Sequence, residues 1–360
     1  MSTCTTAHIA RTRGAVDIAR LTLPSHVERC LTALGGPEQV RRLRPAAGCE
    51  ATVLSEFVFA GHPLDPAWNA GADAAVWLQG DACHGGVVHS GQLVAISGIA
   101  ATPVRLNGRH LGYVYEDDTA RTCRLSGVLP VDLRASRAAQ TRSVFDTIRQ
   151  ALEAHGFAAT DLVRTWIYLD RLLDWYDTFN QVRTEFFHET GIYEQRIPAS
   201  TGIGAGNAAG AALVIDAIAI QPKDDRVRAF PVISPLQNPP TAYRSSFSRA
   251  MELEYPTHRA VLISGTASIA ADGLTIHQGN VEKQIRCTLE VIHAILLARG
   301  MDWADLFRGI AYFTRMEDLP LYRRIEAELG IPPYSQAIAH ADVCRSDLLF
   351  ELEVDAIRLR

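Results

Sequence analysis

The phrases VRTWIYLD (163–170) and FRGIAYFT (307–314) stand 144 residues apart and read as the same strand used twice. Both are apolar with little alternation, the pattern of a strand covered on both faces. The offset holds through the segments around them: Gln140 matches Gln284, Leu152 Leu296, Gly156 Gly300, Asp161 Asp305, Arg164 Arg308 and Tyr168 Tyr312. Apolar residues recur at helical spacing ahead of each strand, so helices are expected over 136–155 and 280–299. Gly156 and Gly300 close them, where a C-cap needs positive φ.

Working outward, GQLVAISGIA (91–100) resembles HRAVLISGTA (258–267), and each reads as the opening strand of a unit. Second helices follow at 171–189 and 316–329, and final strands end in DAIAI (216–220) and DAIRL (355–359). The expectation is an α+β chain of two tandem units, with mixed sheets and helices packed on one face. Residues 1–75 repeat nothing. The first unit spans 76–222 with an insertion at 105–135 read as a hairpin or lid. A proline-rich linker covers 223–240 and the second unit 241–360. Aligning DAIAI with DAIRL sets Glu351 against Ala212, so one working cleft per chain is expected.

With 48% hydrophobic and 21% charged residues, the chain can bury a large core. A net charge of −5 and scattered basic residues argue against nucleic acid as a partner. No stretch is apolar enough for a membrane span, and the N-terminus lacks a secretory pattern, so a cytoplasmic protein is expected. The seven cysteines are odd in number and form no CxxC pair, which suggests reduced thiols and no metal site.

The repeated Ser-Gly strand, the glutamine near each helix start, Pro198-Ala199-Ser200 and ELEVDAI (351–357) resemble the YjgF/Rid superfamily, whose units have a chorismate mutase-like fold. The ordered set LVRTWIYLDRLLDWYDTFNQVR (162–183), IPASTGIGAGN (197–207), SFSRA (246–250), ISGTASI (263–269) and HADVCRSDLLFELE (340–353) resembles one branch, the chorismatases or 3-hydroxybenzoate synthases. That resemblance implies chorismate as substrate, no cofactor, and a monomer or homotrimer. It implies protonation of the enolpyruvyl methylene and loss of pyruvate, giving 3-hydroxybenzoate. Hydrolysis to 3,4-dihydroxycyclohexa-1,5-dienoate and formation of 4-hydroxybenzoate are rival outcomes. A Rid-type imine deaminase is a further alternative, disfavoured because Ser200 and Ser335 occupy the place of the carboxylate-gripping arginine. A non-catalytic binding module is the last.

Glu351, in the run LLFELEV, is the candidate acid, because burial raises a carboxyl pKa. The family's catalytic glutamate matches this position. The competing reading puts Glu351, Glu353 and Asp355 on the wet face of an alternating strand. Cys344 is the second candidate. A lone cysteine is most often a core residue, but the resemblance associates a cysteine here with the aromatic product. Arg249, Arg183 and Arg164 are the candidate carboxylate binders, since guanidinium groups hold carboxylates two-pronged. Ser200, Thr201 and Gly202 open a glycine-rich loop able to hold an oxyanion, or simply a turn. Tyr168 lines the pocket or belongs to the core.

Overall fold

The computed structural model describes residues 6–60, 76–79, 89–243 and 245–360. It contains three sheets built on one plan. The first holds β1 (His8–Thr12), β2 (Asp17–Thr22), β3 (Val27–Gly35), β4 (Thr52–Phe59), β5 (Val76–Gln79) and β6 (His89–Ser97), with short helices α1 (Pro37–Val40) and α2 (Leu43–Ala47) between β3 and β4. The second holds β7 (Ala101–Leu106), β8 (Arg109–Glu116), β9 (Ala120–Val128), β10 (Leu162–Leu169), β11 (Ala199–Gly204) and β13 (Leu213–Pro222), with helices α3 (Arg137–Glu153), α4 (Tyr176–Glu189) and α5 (Ile192–Gln195). A two-residue strand β12 (Gly206–Asn207) crosses from it to pair with β5. The third holds β14 (Arg228–Val232), β15 (Ala250–Glu254), β16 (His258–Ala267), β17 (Leu306–Phe313), β18 (Ser335–His340) and β19 (Phe350–Leu359), with α6 (Val281–Ala298) and α7 (Leu319–Glu328).

The strand orders β1-β2-β3-β6-β4-β5, β7-β8-β9-β13-β10-β11 and β14-β15-β16-β19-β17-β18 superimpose element by element. Each has one parallel pair, and each carries a bulge at the same place, at Val53/Ser55, Leu162/Arg164 and Leu306/Arg308. The α+β reading and the repeated unit stand, but several boundaries change. Within the N-terminal segment 1–75, which repeated nothing, the described residues 6–60 supply β1 to β4 of the first sheet, a further unit beside the two expected. The stretch 89–97 closes that sheet and is not an opening strand; the counterpart of β16 is β9, inside the supposed insertion at 105–135. The supposed linker 223–240 contains edge strand β14. The shared Ser-Gly phrase misled because opening and closing strands are both buried and apolar.

The helices form where the periodicity placed them. Ser136 caps α3 by accepting from Ala139 N at 3.2 Å, and Asn280 caps α6 by accepting from Lys283 N at 3.0 Å. Gly156 and Gly300 follow them with φ of 76° and 67°. The matched glutamines have one job: Gln140 Oε1 accepts from Ala212 N at 2.9 Å, and Gln284 Oε1 from Leu349 N at 2.8 Å. Each anchors the residue that leads into a closing strand.

That anchor, with the strand registers, corrects the alignment of the ends. Arg164 faces Ile218 and Arg308 faces Asp355, so Asp216 corresponds to Glu353 and Val214, not Ala212, to Glu351. In the first sheet the same places hold Gln92 and Ser90. Ala199 pairs with Arg164 and Ser335 with Arg308, so Ser335 matches Ala199 and Ser200 matches Gln336.

Each sheet buries its outer face under its own helices. The inner faces meet around a common axis, where the equivalent residues Phe59, Tyr168 and Tyr312 converge. The two tyrosine hydroxyls lie 3.1 Å apart. Side-chain bonds close the ring of sheets, among them Ser200 N to Ser264 Oγ at 2.8 Å and Thr32 Oγ1 with Ser335 Oγ at 2.6 Å.

Candidate active site

A cavity of about 840 Å³ opens where β11 and α4 of the second sheet meet β16 and β19 of the third. It gathers Glu351, Cys344, Arg249, Arg183, Ser200 and Gly202 from the expected set. Tyr176, Tyr243 and Arg345, which sequence reasoning missed, complete it.

Glu351 is 4% exposed, and Glu353 and Asp355 are buried too, so the acidic run faces inward and the wet-face reading fails. Gln284 holds Leu349, two residues before Glu351, and so sets where its carboxyl emerges. Gly265 leaves room for that carboxyl: a Cβ there would stand 1.9 Å from Glu351 Oε1 and 3.1 Å from Thr201 Cγ2. Gly265 therefore serves close approach. Burial, reinforced by the charge of Glu353 and opposed by Arg164 and Arg249, pushes the Glu351 carboxyl up to about 8. It carries its proton at neutral pH.

Arg249 is buried. Its Nε and Nη2 donate to Asn238 O at 3.2 and 3.1 Å, and Nη2 donates to Tyr243 Oη at 2.7 Å. Its guanidinium lies 5.6 Å from the centre of the Phe247 ring. Arg183 Nη2 donates to Asn180 Oδ1 at 2.6 Å and Ser245 Oγ at 3.2 Å, while its buried Nε has no partner among the described residues. Arg345 Nη1 donates to Gly273 O at 2.7 Å. None of the three forms an ion pair with a carboxylate among the described residues. Three guanidinium groups beside a neutral carboxylic acid make a site for an anion with more than one negative group.

Burial and the neighbouring Glu351 push the Cys344 thiol up to about 12. It stays protonated near neutral pH, which rules out a standing thiolate nucleophile. Burial also raises the Tyr176 hydroxyl, and Cys344 and Glu351 are among its neighbours.

Three expected site residues lie elsewhere. Arg164 is fully buried and donates to Glu353 Oε2 at 2.6 Å and to Thr201 Oγ1 at 2.8 Å. Glu353 also accepts from Trp166 Nε1 at 2.8 Å and from Arg308. Arg164 thus pairs with a carboxylate of the chain itself and does not line the cavity. Thr201 donates to Glu353 Oε2 at 2.5 Å and accepts from Gly265 N at 3.0 Å, bracing the wall behind Glu351. Tyr168 sits in the axial aromatic cluster. The supposed loop STGIGAG runs along strand β11 as far as Gly204 and enters β12 at Gly206; β11 pairs parallel to β10, so alternate residues face opposite ways: Ser200 and Gly202 line the cavity and Thr201 turns away.

At the two places equivalent to Glu351 stand Ser90, bonded to Ile338 O at 2.5 Å, and Val214. Neither is an acid. No group of three histidine, cysteine, aspartate or glutamate side chains among the described residues is placed to hold a metal. No helix among them is long and apolar enough to cross a membrane.

Of the three helix-backed sheet units, the second matches the family model endoribonuclease L-PSP over residues 109–221. A chorismatase of Streptomyces rapamycinicus is 30% identical over 250 residues, covering 64% of this chain and 73% of that protein. A 3-hydroxybenzoate synthase of Streptomyces hygroscopicus is 28% identical over 236 residues, covering 59% and 68%. The crystal structure of a chorismatase shares the fold, with a TM-score of 0.66 at 22% identity over 91% of this chain and 98% of that one. The chain belongs to the chorismatase family.

Proposed function

We propose that the chain converts chorismate to 3-hydroxybenzoate and pyruvate, with Glu351 as the acid. The observation that carries the proposal is a buried carboxyl that holds its proton to about pH 8 in a cavity with three guanidinium groups. Chorismate brings two carboxylates for Arg249, Arg183 and Arg345, and an enol ether whose methylene carbon needs a proton.

Glu351 gives its proton to that methylene carbon, making an oxocarbenium centre. The neighbouring ring hydroxyl then attacks the ring carbon that bears the ether oxygen. Its C–O bond breaks, its electron pair returns to the oxygen, and pyruvate leaves as the ketone. The hydroxyl proton returns to the Glu351 carboxylate. Opening of the resulting epoxide at its other carbon, with loss of the ring proton, restores the aromatic ring. The atoms of chorismate account for both products, so no water is consumed. The protonated Cys344 thiol stands beside Glu351 and favours the aromatic outcome by steering the intermediate.

Incubation with chorismate and chromatography tests this. Equal amounts of 3-hydroxybenzoate and pyruvate are expected, and no turnover by Glu351→Gln. Pyruvate accompanied by the dihydrodiol, or by 4-hydroxybenzoate, sinks the product assignment. Exclusive 3-hydroxybenzoate from Cys344→Ala sinks the steering role. Ammonia release from an imino acid, with chorismate untouched, would mark a deaminase.

A further inference from the structure

A second cavity, of about 250 Å³, lies on the common axis between the β2–β3, β8–β9 and β15–β16 turns. It is separated from the Phe59, Tyr168 and Tyr312 cluster by the layer of Arg164, Arg308 and Glu353. That volume is roughly the share of eight waters in the liquid. The three sheets line it with equivalent positions whose chemistry has diverged. Cys30, Arg124 and Leu262 form one layer, and Glu28, Thr122 and Ala260 the next. The walls are apolar, chiefly Leu21, Leu23, Ile220, Leu253 and Ile357.

The floor holds two unmet demands. Asp355 receives Arg308 Nη1 on Oδ2 at 3.2 Å, but its buried Oδ1 has no partner among the described residues. Arg124 reaches its guanidinium over the Trp166 ring at 5.7 Å, and that guanidinium makes no ion pair or hydrogen bond to another described side chain. A buried acceptor without a donor and a guanidinium without an acceptor, side by side under apolar walls, are the polar complement of a small hydroxy acid. At the mouth the polar groups are already engaged: Glu28 Oε1 accepts from Tyr115 Oη and meets His26 Nε2, both at 3.3 Å, and His258 stacks on Tyr255 at 4.6 Å.

We propose that this axial cavity is a second binding site that takes a one-ring hydroxylated carboxylic acid, its carboxylate on Arg124 and its hydroxyl donating to Asp355 Oδ1. The site stands apart from the catalytic reading and shares no lining residue with the Glu351 cavity.

The test uses 3-hydroxybenzoate as probe on the full chain, followed by NMR of histidine ring signals and by calorimetry. His26 and His258 report on the axial cavity and His188 on the Glu351 cavity. Saturable shifts of His26 and His258 are expected, persisting in Arg249→Leu. Arg124→Leu and the cavity-filling Ala260→Phe should each weaken that binding at least tenfold, and benzoate, without the hydroxyl, should bind more weakly. Shifts confined to His188, or no shift at millimolar probe, overturn the proposal. The wild-type signals decide the matter even if neither variant folds.

Discussion

Replacing Glu351 with glutamine removes the proton but keeps shape and burial, and its effect on stability can be worked out before any activity is measured. Folding raises the carboxyl from 4.5 to about 8. A raised acid binds its proton more tightly in the folded state, so its stability contribution is complete below pH 4.5 and is lost as pH rises towards 8. At about 1.36 kcal/mol per unit, the wild-type chain gives up about 1 kcal/mol at pH 5, about 3 at pH 7 and about 5 at pH 9. The glutamine side chain does not titrate, so Glu351→Gln gains on the wild type by those amounts. Every other titrating group is common to the two proteins, so the difference isolates this one. Thermal melts of the pair at the three pH values give the readout: the gap in melting temperature should widen with pH. A constant gap would mean that the folded protein holds Glu351 as an ordinary carboxylate, and the assignment of the acid would fall with it.

The rate should report the same proton: kcat/KM, followed by pyruvate release, should fall about tenfold per unit above pH 8. Gly265→Ala puts a methyl group where the Glu351 carboxyl rests, so kcat should drop on the order of 100-fold, with melting little changed. Arg249→Leu should raise KM roughly 10- to 100-fold through a lost charged contact. Arg164→Met should leave KM alone but strand Glu353 without one of its cations, at a cost of about 3–5 kcal/mol in stability. Tyr168→Phe should cost about 1 kcal/mol for the bond to Tyr312 and leave kcat and KM unchanged.

The long helices α3 and α6 were legible because periodicity, caps and closing glycines agreed. The first sheet was not. Its helices α1 and α2 are four and five residues long, so no helical offset tied it to the others. Glu351 was legible from apolar flanks and family resemblance together, since alternation alone also allowed a wet face. Arg164 and Arg249 look alike in sequence. What separates them is that the first finds Glu353 across the sheet interface, a contact set by packing between units. Arg345 lies in an irregular segment and Tyr243 at the end of one short 3-10 turn, where no periodicity points inward, and the folded cavity reveals them.

Ser90, Val214 and Glu351 occupy one place three times over, and this bears on how such a chain changes. In a symmetric homotrimer a single substitution is made in every subunit at once, so a change that improves one cleft must be tolerated by all three. With the three units fused, each cleft is altered separately. At the first place Ser90 reaches across to Ile338 O and ties two sheets together, at the second Val214 adds apolar packing, and the carboxyl is kept at the third alone.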